Sequence, residues 1–408
     1  MATINKNYEK LQASYLFSDI AKRTKAFMEK NPKAVVMRLG IGNTTEPLVP
    51  HVIKGLHTGV EKLAHVETYT GYGDEQGDIR LRQALTDWYK ERGITLSPQE
   101  FFISDGAKPD AANLQSIFGQ YNIIAVTDPV YPVYVDSNVI AGRTGKFVDG
   151  KYKGLVYLVC NEENGFIPKP PNQKVDIMYI CSPNNPTGAV ATKKQLKAFV
   201  DYAIKHKAII IFDAAYSEYI SDISAYPRSI YEIKGATKCA IEMNSFSKFA
   251  GFTGVRLGWS VVPLDLVCEG TKPGELNAMW NRRQTTMFNG ASNIVQEGGI
   301  AVLSKQGQKE CKKQIAYYMK NAEIIKKGME KLGFKVYGGE NAPYIWLKVP
   351  RGMTSWEFFD VLLNQAHVVG TPGAGFGPNG EGYFRLSAFG HRENVEKAIQ
   401  SIQKNLKI

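Results

Sequence analysis

Strand-length apolar runs separated by helix-length amphipathic ones constrain this chain more than any other feature. IIAVTDPVY (123–131), VDIMYICSP (175–183), AIIIFDAAY (208–216), CAIEMNSFS (239–247) and VRLGWSVVP (255–263) are runs of this kind, with VVMRLGIG (35–42) ahead of them. Several are apolar on successive residues, the pattern of strands covered on both faces. Between two of them, KKQLKAFVDYAIKHK (193–207) places apolar residues at helical spacing and ends in basic side chains that suit a helix C-terminus. Strand, helix, strand at this spacing predicts a doubly wound α/β domain, its mainly parallel central sheet flanked by helices. After about residue 290 the texture changes. A long amphipathic helix over 305–332 leads to FKVYGG, PYIWLKV and GYFRLSAF, then to a final helix over 391–407. That is the pattern of a smaller α+β domain, so the expected division is a large domain over 48–290 and a small one from 1–47 and 291–408.

Composition narrows the class. With 408 residues, 44% of them hydrophobic and 22% charged, the chain reads as globular, and disordered or fibrous readings are excluded. No apolar run approaches the roughly 20 residues of a membrane-spanning helix. The five cysteines (Cys160, Cys181, Cys239, Cys268, Cys311) never adopt a CxxC spacing and read as core residues in a reducing compartment. The six histidines are scattered, and no metal site is expected. A net charge of +11 with no helix-turn-helix, RNP or zinc-finger signature reads as a lysine-rich surface, not a nucleic-acid interface. The N-terminus lacks the apolar core of a secretory signal and carries Glu9 and Asp19, so a cytoplasmic protein is expected, a mature organellar one having the same appearance.

Two motifs imitate nucleotide sites and fail, and a hydrolase motif is missing. GAGFG (373–377) lacks the third glycine of a dinucleotide fingerprint and runs into Pro378; GRTGK (142–146) is too short for a phosphate loop; no G-x-S-x-G elbow occurs. The informative residues stand at the C-terminal ends of the apolar strands, where open α/β sheets place their ligands. AIIIF ends in Asp213 with Tyr216 three residues on, CSPNNPTG (181–188) makes a turn, and SFSKFAGFTGVRLGW (245–259) brings Ser245, Ser247, Lys248 and Arg256 together. Alone, the first is a helix cap and the second a loop. Together they meet the needs of pyridoxal phosphate: an amine to hold its aldehyde, a carboxylate for its ring nitrogen, and cations, hydroxyls and helix N–H groups for its phosphate.

Through NNPTG, D-x-x-Y and S-x-S-K-x7-R the chain resembles the fold-type I pyridoxal-phosphate aminotransferases over nearly its whole length. NYEKLQASYLFSDIAKR (7–23), LGIGNTTEPL (39–48), ETYTGYGDEQG (67–77) and SDGAKPD (104–110) resemble, more narrowly, the LL-diaminopimelate aminotransferase branch of that family. The resemblance implies that Lys248 holds the cofactor and later moves the substrate proton, that Asp213 pairs with the ring nitrogen, and that Tyr216, with Asn185 beside it, bonds the phenolic oxygen. Tyr131 would stack on the ring; Ala107, Lys108, Ser245, Ser247 and Arg256 would bind the phosphate. Arg385, with Gly42 nearby, would clamp the substrate α-carboxylate. Glu75 would accept the distal ammonium of diaminopimelate, and Tyr15, Tyr72, Lys108 and Asn289 would surround its distal carboxylate. The resemblance also implies an obligate homodimer with shared active sites and small dicarboxylate substrates, amino and keto acids. Another aminotransferase of the same fold, acting on aromatic or aspartate-like amino acids, is the nearest rival; a non-catalytic effector-binding module is a more distant one.

Overall fold

The computed structural model describes residues 1–12, 16–40 and 42–407. Its centre is a seven-stranded sheet with the spatial order Phe101–Ser104, Gly258–Val261, Ala240–Ser245, Ile209–Asp213, Ile177–Cys181, Ile124–Asp128, Leu155–Val159. Only Gly258–Val261 runs against the others, being antiparallel to both of its neighbours. The expected runs at 123–131, 175–183, 208–216, 239–247 and 255–263 all contribute strands. VVMRLGIG is a correction: only Met37–Arg38 is a strand, and it pairs in parallel with Val368–Val369 outside the central sheet.

All five residues of Ile177–Cys181 and of Ile209–Asp213 are buried, as their continuous apolar sequences require. Helix Lys193–His206 joins these two strands. Thr192 and Gln195 cap its start reciprocally, the Thr192 hydroxyl accepting from the Gln195 amide at 3.3 Å and Gln195 Oε1 accepting from the Thr192 amide at 2.9 Å. Leu196, Phe199, Val200 and Ala203 form its buried stripe, and Lys207, in the left-handed region at φ 54°, ends it.

A second sheet has the order Val336–Gly338, Tyr344–Lys348, Tyr383–Ser387, Thr371–Pro372, with every neighbour antiparallel. It has its own core, into which Leu16, Ile20 and Phe27 of helix Leu16–Lys30 pack with Phe358, Leu362, Val395 and Ile399. The long helix Lys305–Lys331 serves both cores, Cys311 and Tyr318 in the first, Ala322, Ile325 and Met329 in the second. Val302 and Leu303 also lie in the first core, and Cys160 and Phe166 in the second. Among the described residues no helix is long and apolar enough to cross a membrane, and no cluster of His, Cys, Asp and Glu could hold a metal ion.

Candidate active site

Parallel register brings the chemistry together. Cys181 and Asp213 stand side by side at the ends of their strands, and Asp213 is level with Met243 on the other side. The chain leaving Cys181 turns through Asn184 and Asn185; the chain leaving Ser245 turns into the short helix Phe246–Phe249, which carries Lys248. A cavity of about 350 Å³ opens there, lined by Gly42, Ala107, Lys108, Tyr131, Asn185, Asp213, Tyr216, Ser245, Ser247, Lys248 and Arg256, with Tyr134 and Tyr344 among the remainder. Eleven positions expected from the sequence therefore meet in one hollow.

The electrostatics of the cavity are unusual for a protein interior. Lys248 donates to the Gly42 carbonyl oxygen. Burial, followed by the nearby Arg385 and Arg256 guanidiniums, pulls its amine down to about 8, with Asp213 opposing. Asp213 Oδ2 accepts from the Tyr134 hydroxyl at 2.5 Å and Oδ1 from the Ala215 amide at 3.0 Å. Burial raises its pKa, while these two donors and Lys248 favour the charged form. Tyr134 was not expected from the sequence. Its signal was present in DPVYPVY, where it follows Tyr131 by three residues on helix Pro132–Ile140.

Arg385, on the second sheet, does not itself line the cavity but backs it through two residues that do, Asn185 and Tyr344. It is 1% exposed, and no Asp or Glu pairs with it among the described residues. Its Nη1 donates to Asn185 Oδ1 at 2.6 Å and its Nη2 to the Gly40 carbonyl at 2.9 Å, while Nε is buried without a partner. The guanidinium lies 4.5 Å from the Tyr344 ring centroid and 5.0 Å from that of Phe376. A buried cation held by neutral groups is poised for an anion.

A second anion cradle lies at the other end. Ser245 caps its helix by accepting from the Ser247 amide at 3.1 Å, and Arg256 donates to the Ser247 hydroxyl at 3.2 Å. Arg256 is held at φ 71°, a backbone region costly for a side-chain-bearing residue. Gly106, at φ 123°, precedes Ala107 and Lys108; a Cβ on it would lie 2.8 Å from Arg256 Nη2. Backbone amides, two hydroxyls and a guanidinium thus face one small volume that only a glycine leaves open. Tyr131 meets Tyr134 edge-on with ring centroids 5.6 Å apart. Taken together, the residues present fit pyridoxal phosphate: a phosphate cradle at one end, a buried carboxylate at the other, and a neutralisable amine between.

Three expected substrate residues do not reach this cavity in the same chain. Tyr72 is 89% exposed, and Asn289 is exposed as well. Glu75 lies on the same ridge, since a Cβ on Gly290 would be 3.5 Å from Glu75 Cα. Tyr15 lies outside the described residues.

Solved structures of similar fold are known. The L,L-diaminopimelate aminotransferase of Chlamydomonas reinhardtii is 47% identical, with a TM-score of 0.94 over 100% of this chain and 99% of that one. The aromatic aminotransferase of Pyrococcus horikoshii OT3 is 26% identical, with a TM-score of 0.79 over 93% of this chain and 98% of its own. An aspartate aminotransferase of Thermus thermophilus, at 20% identity and a TM-score of 0.84 over 98% of this chain and 99% of that one, shares the fold. The sequence profile described as aminotransferase class I and II matches residues 34–402, and the chain belongs to that family.

Proposed function

We propose that this aminotransferase carries out the reaction of the LL-diaminopimelate aminotransferases, moving the amino group of L-glutamate to the open-chain form of tetrahydrodipicolinate. The products are LL-2,6-diaminopimelate and 2-oxoglutarate. The observation that carries the reading is the likeness, at 47% identity over 100% of this chain, to an enzyme named for that substrate.

Bound pyridoxal phosphate supplies an electron sink for the charge left at the substrate Cα. This chain's residues do the rest. Lys248 holds the cofactor, and its depressed pKa lets the freed amine accept the Cα proton near neutral pH. Asp213, which accepts from Tyr134 and the Ala215 amide, would pair with the ring nitrogen and hold its proton in place. Tyr216 would donate to the phenolic oxygen with Asn185 beside it, and Tyr131 would cover the ring face. Ala107, Lys108, Ser245, Ser247 and Arg256 bind the phosphate. Arg385 takes the α-carboxylate beside Gly42.

The distal end of the substrate is read by a second copy of the chain. Tyr72, Glu75 and Asn289 do not line the cavity of their own chain, and Tyr72 and Asn289 are exposed, so they are available to complete a neighbouring copy's site. Glu75 accepts the distal ammonium; Tyr72, Asn289, Tyr15 and Lys108 surround the distal carboxylate. A homodimer with shared sites, divided into a cofactor-binding body over 48–290 and a smaller one from 1–47 and 291–408, belongs to the same proposal.

The test is a visible absorbance titration of the protein loaded with pyridoxal phosphate. LL-Diaminopimelate should bleach the visible band and 2-oxoglutarate restore it, with lysine failing because it lacks the distal carboxylate. If phenylalanine or aspartate acts and diaminopimelate does not, the substrate assignment is wrong. The variant Glu75→Gln should lose turnover with diaminopimelate while retaining it with glutamate; equal activity on both would refute the role of Glu75.

A further inference from the structure

Tyr344 has no place in the expected site, yet it touches both halves of it. It opens the strand Tyr344–Lys348, paired with Ser387, and Trp346 of the same strand is paired with Arg385. Tyr344 and Arg385 are therefore diagonal neighbours on one face, which puts the guanidinium 4.5 Å from the tyrosine ring. Its hydroxyl reaches the opposite way and lies 2.7 Å from the Tyr216 hydroxyl. The rings meet edge-on with centroids 5.2 Å apart. Gly42 leaves the room for this contact, since a Cβ there would lie 2.8 Å from the Tyr344 hydroxyl oxygen and 3.8 Å from Lys248 Nζ.

Each of the two hydroxyls has one proton, and only one can lie between them. If Tyr216 gave its proton to Tyr344, nothing would remain for the cavity. Resting on the pyridoxal-phosphate reading above, we propose that Tyr344 is a positioning residue: its hydroxyl donates to Tyr216, so that the Tyr216 proton points into the cavity, while its ring carries Arg385. The surroundings favour that direction. Burial raises both phenols, but Arg385 draws Tyr344 back down, whereas the contact with Tyr344 pushes Tyr216 further up. The more acidic hydroxyl is the better donor. Asp213 and Cys181, the other titratable groups acting on the pair, oppose ionisation of both. Tyr344 thereby ties the carboxylate-binding guanidinium to the hydroxyl that faces the cofactor.

The test uses the protein loaded with pyridoxal phosphate and follows the pH titration of its visible band in wild type, Tyr344→Phe, Tyr216→Phe and the double variant. A donor at the phenolic oxygen draws charge from the adjacent protonated nitrogen and lowers its pKa, so a weakened donor raises it. Tyr344→Phe keeps the ring under Arg385, and should raise the apparent pKa by about half to one pH unit, the scale of one neutral hydrogen bond. Tyr216→Phe should raise it further, and the double variant should match Tyr216→Phe, because Tyr344 acts only through Tyr216. In the same Tyr344→Phe protein kcat should fall roughly threefold to tenfold, with KM for glutamate within about twofold, as for an interaction outside substrate binding. A Tyr344→Phe titration superimposable on wild type, or an effect fully additive with Tyr216→Phe, overturns the inference alone. Absence of any visible band in wild type overturns the cofactor reading and the inference with it.

Discussion

Replacing Arg385 with lysine tests whether the buried guanidinium is the carboxylate clamp. Lysine keeps the charge but loses the fork that can offer two parallel N–H groups to a carboxylate. A hydrogen bond to a charged group contributes about 1.5–3 kcal/mol, so losing one of the two costs roughly 10–150-fold in affinity. The α-carboxylate is bound equally before and during proton transfer, so the loss should fall mainly on KM for glutamate and for 2-oxoglutarate, with kcat reduced less. A second effect follows from the site itself. Nη1 serves Asn185 Oδ1 and Nη2 serves the Gly40 carbonyl, and a single amine cannot reach both. Leaving one buried acceptor without a donor costs about 1–3 kcal/mol, read as a lowered denaturant midpoint. Steady-state kinetics in both directions and a urea melt of the same preparation measure the two. A KM within about threefold of wild type for both substrates would refute the clamp, since no charge-assisted bond is that weak.

Three further outcomes follow from the same structure. The amine of Lys248 must be neutral to attack an aldehyde, so incorporation of pyridoxal phosphate into the apo-protein should accelerate as pH rises through about 8 and then level, not at the usual 10.5; Lys248→Ala should bind the cofactor without a stable covalent link and lose turnover. Glu242 is buried against Tyr89, Ser229 and the Ile230 amide, and burial pushes its carboxyl up to about 7. The folded state then holds a proton that the unfolded state releases near 4.5, so stability should fall as pH rises from there to 7, by about 3 kcal/mol at most, and urea midpoints of Glu242→Gln should not show that slope. Gly106→Ala places a Cβ against Arg256 at a positive φ, and should weaken cofactor binding at least about tenfold in a fluorescence titration; unchanged affinity would remove the cradle from the phosphate site.

The cavity residues were legible because the sheet does most of the positioning. A parallel strand must end at its carboxyl edge, so Asp213, Asn185 and Ser245 with Lys248 were bound to converge once their strands were neighbours. Their types then named the chemistry. The second core was legible in outline from the change of periodicity after residue 290. Where the helices near that point pack was not, because Val302, Leu303 and Cys311 are apolar residues that would suit either core. VVMRLGIG was overread because an apolar run has no mark of which sheet it will join.

The sequence alone determined the alternation of strands and helices, the strand-end chemistry and the family resemblance, since these depend on residue type and local spacing. Only the tertiary structure decided which tyrosines act on the site. Tyr134 bonds Asp213 from a helix 79 residues away, and Tyr344 bonds Tyr216 across 128 residues. It also decided that Tyr72, Glu75 and Asn289 do not line the cavity of their own chain. A hydroxyl at the edge of an aromatic ring takes its role from what lies within about 3 Å of it, and no spacing along the chain encodes that distance.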